Sequence, residues 1–103
     1  MDILVKIKRL VLTGNVFFTK KAEFEIEKDN LSAELVCESI LNAPNIYKKI
    51  RSIKSFSKKK EYLYVIIGLT YDDVPIYTKG KIINSDNQEK FYVLISSKKS
   101  TND

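Results

Sequence analysis

Apolar positions over the first twelve residues recur at helical spacing. In DILVKIKRLVLTG, Ile3, Leu4, Ile7, Leu10 and Val11 fall on one stripe. Asp2 stands where an N-cap is needed, and Gly14 where a helix ends in the left-handed conformation. The spacing predicts a helix over 3–12; a strand there would bury Lys6 and Lys8 beside Leu4 and Leu10, which is costly. Val16 and Phe18 read as a short extended entry. Thr19 then caps a second helix, with Ala22 and Ile26 facing inward and Glu23 and Glu27 outward, and Asp29-Asn30 tolerate the turn that ends it. Ser32 caps a third helix over 33–43 that buries Leu35, Val36, Ser39 and Ile40, and Pro44 blocks its continuation.

From residue 46 the period changes to two. NIYKKIRSIKSF (45–56), EYLYVIIGLTYDD (61–73), VPIYTKGKIINSD (74–86) and FYVLISSKK (91–99) are rich in Tyr, Val and Ile and read as four strands. A turn at Asp72-Asp73 joins the middle two. The prediction is an α+β fold: two to three N-terminal helices packed on one face of a curved antiparallel meander of about four strands. The 103 residues make one domain, 1–103, with a polar tail at 100–103 expected to fray.

Alternation assigns faces to the strands. Ile76, Thr78, Gly80 and Ile82 share one face of their strand; Tyr77, Lys79 and Lys81 share the other. In the preceding strand Leu63, Val65 and Ile67 oppose Tyr62, Tyr64 and Ile66. In the last strand Phe91, Val93 and Ile95 oppose Tyr92, Leu94 and Ser96. One consistent arrangement puts the aliphatic faces under the helices and gathers tyrosines and lysines on the second face. Such a face suits a polyanion with bases, since cations meet phosphates and rings stack on unpaired bases. An amphipathic sheet whose tyrosines shield its backbone is the plainer alternative.

Charge sharpens the first reading. The formal net charge is +5, which favours anionic partners, although an AT-rich genome alone also enriches lysine. Clustering says more: KKIRSIKSFSKKK, from Lys48 to Lys60, holds seven cations in thirteen residues and no acid. The candidate RNA-binding set is Lys48, Lys49, Lys54, Lys58, Lys59, Lys60, Lys81 and Tyr64. A solvated lysine loop is the alternative for the run itself. Cys37, the single cysteine, forms no internal disulfide and sits in an apolar helical pattern as a small hydrophobe. With no histidine, a zinc site has almost nothing to be built from, so neither metal nor cofactor is expected. The longest apolar run, Leu63 to Leu69, is far short of the roughly 20 residues a spanning helix needs. Lys6, Lys8 and Arg9 break the N-terminal segment, so it lacks a signal-peptide core. The expectation is a reduced, cytoplasmic protein with no membrane partner.

The order of elements and a few short words carry a family likeness. Phe18-Thr19, Arg51-Ser52 and Tyr77-Thr78-Lys79-Gly80, with a last strand of the YVLISSK type, resemble the RelE/MqsR-like ribonuclease toxins over Phe18 to Lys98. The likeness is nearest to bacterial relatives with helices before a curved antiparallel sheet. It implies a RelE-like sheet and metal-independent endoribonuclease activity as the toxin of a toxin–antitoxin pair. The substrate would be RNA, including mRNA on the ribosome, and the protein partner a small antitoxin. In such cleavage the 2′-hydroxyl attacks its own phosphodiester and leaves a cyclic phosphate. The protein then removes one proton, supplies another and stabilises the added negative charge. Arg51, with its planar fork, is the candidate phosphate stabiliser and Lys79 a second clamp. Members of the group commonly use a histidine; here the proton carriers are Lys, Tyr or Glu. Lys79, Lys98 and Glu61 are the candidate bases, and Tyr77 or Tyr92 the acid.

Other chemistries fit less well. Asp72-Asp73 before Val-Pro is a turn signal. Three glycines make no phosphate loop. Ser97 and Lys98 are adjacent on a strand and point to opposite faces, while Ser96 and Lys98 share one. A non-catalytic module for nucleic acid or an acidic protein uses the same basic patch, and a structural interaction protein with lysines of genomic origin is the third reading.

Overall fold

The structure is a computed structural model and describes residues 2–52, 61–86 and 88–101. In chain order it contains α1 (Ile3–Leu12), β1 (Val16–Phe18), α2 (Lys20–Lys28), α3 (Ala33–Asn42), β2 (Lys48–Ser52), β3 (Glu61–Leu69), β4 (Pro75–Ser85) and β5 (Gln88–Lys99). The fold is α+β, as the change of period predicts.

The helices begin where short polar side chains supply the missing acceptors. Asp2 accepts from the Leu4 amide at 3.0 Å, Thr19 from Ala22 at 3.1 Å and Ser32 from Leu35 at 3.2 Å. Gly14 follows α1 with φ +79°, and Asn30 follows α2 with φ 56°. Ala43 is already extended (ψ 133°), because a residue before proline avoids the helical region, so α3 stops one residue earlier than expected.

The sheet departs from a four-stranded meander. Its order is β1-β5-β4-β3-β2, with β2 to β5 antiparallel and β1 parallel to β5. The short extended entry at 16–18 is therefore a fifth strand and makes the sheet mixed. Three residues between two helices carry too little alternation to announce a parallel pairing. Beyond β1, α2 lies along the same edge of β5. Thr19 N donates to Leu94 O, Ser97 N to Glu25 Oε1 at 3.2 Å, and Lys99 N to Asp29 Oδ2 at 2.8 Å. These carboxylates occupy edge amides that would otherwise invite another strand.

The core lies between the sheet and α1 and α3. Ile7, Val36, Ile40, Ile66, Ile76 and Leu94 are fully buried in it. Each contributes about 1.5–3 kcal/mol relative to exposure. Tyr92 is also 0% exposed and Tyr64 6%. The helix-covered face of the sheet therefore carries Tyr62, Tyr64, Ile66 and Gly68 of β3, Ile76, Thr78, Gly80 and Ile82 of β4, and Tyr92 and Leu94 of β5. This corrects the face assignment for β3 and β5: tyrosines, not the Leu63-Val65-Ile67 row, lie under the helices. The cause is close packing at two glycines. A Cβ on Gly68 would overlap the Ser39 carbonyl of α3, and one on Gly80 would come within 2.6 Å of the Tyr92 ring. Helix and ring occupy the space those side chains lack.

Candidate nucleic-acid interface

The second face of the sheet, opposite α1 and α3, collects cations from three strands. Register puts Lys48 of β2 beside Val65 of β3, Val65 beside Lys79 of β4, and Lys79 beside Ser96 of β5. The neighbouring row is Ile67, Tyr77 and Lys98. A β-bulge between Lys79 and Gly80, opposite Ile95, allows Ser96 and Lys98 to share this face with Val93. Lys98 Nζ stands 5.4 Å from the Tyr77 ring centroid, within cation–π range. Lys81, on the same face, pairs with Glu61 at 2.8 Å. Lys48 is exposed and Lys79 half-buried, and among the described residues neither makes an ion pair.

The structure thus places Lys48, Tyr77, Lys79 and Lys98 in two adjoining rows of one face, with the Lys81–Glu61 pair on the same face but Glu61 about 13 Å farther along β3. It separates the others. Arg51 pairs with Tyr62 and Lys49 with Tyr64, so both project from the helix-covered side of the edge strand. Arg51 and Lys79 therefore cannot clamp one phosphate from a single face, which corrects their assignment to one catalytic set. Tyr92 is buried and its hydroxyl has no hydrogen-bond partner among the described residues. Burial, with Tyr64 nearby, pushes its phenol well above the usual tyrosine range. A group sealed in the core delivers no proton to a surface substrate, so Tyr92 leaves the list of acids. Tyr64 is also a core residue; burial first, then Tyr62 and Glu89, raise its phenol while Lys6 opposes them. It offers no stacking surface. Lys54, Lys58, Lys59 and Lys60 lie outside the described residues.

Sequence reading overlooked the contact between Lys49 and Tyr62, whose ring centroid lies 4.1 Å from the ammonium. The signal for it is the alternation in KKIRS, which sends cations to both sides of β2. A separate groove of about 490 Å³ runs between the end of α1, β1 and α3, lined by Val11, Phe18, Cys37, Leu41 and Tyr71. Its charged lining groups among the described residues are Glu34 and Glu38, the wrong sign for a polyanion. Burial, and then Glu34, push the Cys37 thiol up, the opposite of what a reactive thiolate needs. Among the described residues no group of three or more Cys, Asp or Glu is placed to hold a metal, and no helix is long and apolar enough to cross a membrane. No family model, no curated protein and no solved structure matches the chain.

Proposed function

We propose that this protein binds single-stranded RNA across the second face of its sheet and cuts it there without a metal, as a RelE/MqsR-like toxin held in check by a small antitoxin protein. One observation carries the reading: Lys48, Lys79 and Lys98 converge on one sheet face with Tyr77 and with the Glu61–Lys81 pair. Lysines on neighbouring strands track a phosphate chain, and a partly buried tyrosine beside them offers a ring to a base. For cleavage, Lys79 is the phosphate clamp and Lys98, in the adjoining row of β5, the base that takes the 2′-hydroxyl proton. Tyr77, paired with Lys98 across the strands, returns a proton to the leaving oxygen, and the Glu61–Lys81 pair lies farther along the same face.

A labelled single-stranded RNA incubated in EDTA tests this, beside a binding titration on the same protein. The expected products end in 2′,3′-cyclic phosphate. Lys79→Ala and Lys98→Ala should each lower the cleavage rate on the order of 10²–10³-fold, by analogy with the loss of one transition-state donor, while weakening binding only a few-fold. Arg51→Ala should leave the rate within a few-fold of the parent. The second reading is a binding module without chemistry. It is favoured by the position of Arg51, whose planar fork lies on the opposite side of the sheet from Lys79. Binding without any cut, with or without ribosomes, would select it.

A further inference from the structure

Resting on the RNA-binding reading, we infer that the bound strand does not stop at the second face but rounds the β2 edge and stacks one base on Tyr62 of the helix-covered side. The edge strand is cationic on both sides. Lys48 projects to the second face beside Val65, while Lys49 and Arg51 project to the other beside Tyr64 and Tyr62. From Lys79 to β2 is two strand spacings, about 10 Å, so one backbone reaches both sets of charges. Tyr62 is built as a platform. Its ring is partly buried against the core, and the Lys49 ammonium lies over it at 4.1 Å. A base takes the place of that ammonium, and Lys49 swings to the adjoining phosphate, exchanging a cation–π contact for an ion pair and a stack. Arg51 is exposed and makes no ion pair among the described residues, so its fork is available to the next phosphate. Glu89, whose charge reaches Tyr64 on this side, is held by Lys6 at 2.8 Å and repels the strand less than a free carboxylate would. Edge lysines also discourage strand pairing. That role requires no aromatic ring beneath them and predicts no contact to a base.

The test is photo-crosslinking of the full chain to bromouridine-substituted oligouridylate, mapped by mass spectrometry and run beside binding titrations. Crosslinks are expected at Tyr62 as well as Tyr77. Tyr62→Phe should crosslink and bind as the parent does, since the ring is kept. Tyr62→Leu should weaken binding on the order of ten-fold, and Lys49→Gln with Arg51→Gln should weaken it further. Thermal unfolding of Tyr62→Leu separates lost stacking from lost fold, and the crosslink map on the parent stands independently of that variant. Crosslinks confined to Tyr77, with Tyr62→Leu binding normally, would overturn the edge-crossing path and leave the second-face reading intact. No binding by the parent would overturn both.

Discussion

Tyr92 and Tyr77 sit on neighbouring strands of one sheet, two layers of side chains apart in environment. Tyr92 is fully buried with an unpartnered hydroxyl, its ring filling the space above Gly80. Tyr77 is partly exposed and has a lysine over its ring. The same side chain is core packing on one face and part of a charged surface on the other. Residue type does not decide between these roles; what decides is whether the facing element leaves room for the ring. On the helix-covered face polar groups are sealed, whereas on the second face Lys48 and Lys79 make no ion pair among the described residues.

Substitutions should respect that division, and the largest effect belongs to the helix side. Gly68→Val drives a side chain into the Ser39 carbonyl of α3 and should cost about 3 kcal/mol or more. Denaturant unfolding measures it, and near-parent stability would mean α3 does not rest on β3 at this point. Gly80→Ala displaces the Tyr92 ring and should cost about 1–3 kcal/mol. Lys79→Ala, one residue away on the other face, should change stability by no more than about 0.5 kcal/mol. Equal losses at Gly80 and Lys79 would erase the distinction between the faces.

Tyr92→Phe probes the sealed hydroxyl. Removing a buried, unpartnered O–H relieves its desolvation, so the variant should match or exceed the parent, by up to about 1 kcal/mol. The same group sets an alkaline limit. The Tyr64 and Tyr92 phenols are both raised in the folded state, while in the unfolded chain they ionise near their ordinary value of about 10. Above that pH the unfolded chain binds fewer protons than the folded one, so stability falls as pH rises. A melting temperature that is level up to about pH 9.5 and declines beyond it is the expected profile, with a shallower decline in Tyr92→Phe. A decline of unchanged steepness would assign it to groups other than Tyr92.

Much of the scaffold was legible because its signals are local. Asp2, Thr19 and Ser32 cap the helices they announce, and Asn30, Asp73 and Gly14 take the positive φ their turns require. The pairing of Tyr77, Lys79 and Lys81 on one side of β4 followed from alternation alone. What alternation cannot supply is which side of each strand meets the helices, since a one-residue choice flips a whole row. Gly68 and Gly80 held that information: each shares parity with the residues under the helices and marks a close approach. The parallel β1 and the separation of Arg51 from Lys79 depend on register between distant segments, which no local spacing encodes.

In the proposed reading, RNA binding depends on the position of charge rather than its total, and the salt dependence of binding tests this most directly. Two triple variants remove the same charge: Lys48, Lys79 and Lys98 to Gln on the second face, and Lys8, Arg9 and Lys20 to Gln on α1 and the first turn of α2. Each phosphate contact contributes roughly −0.7 to the slope of log affinity against log salt for single strands, so the second-face triple should flatten the slope by up to about 2. The helix triple should leave it near the parent value. Equal flattening by both triples would contradict the account, because affinity would then follow net charge and the second face would have no special role.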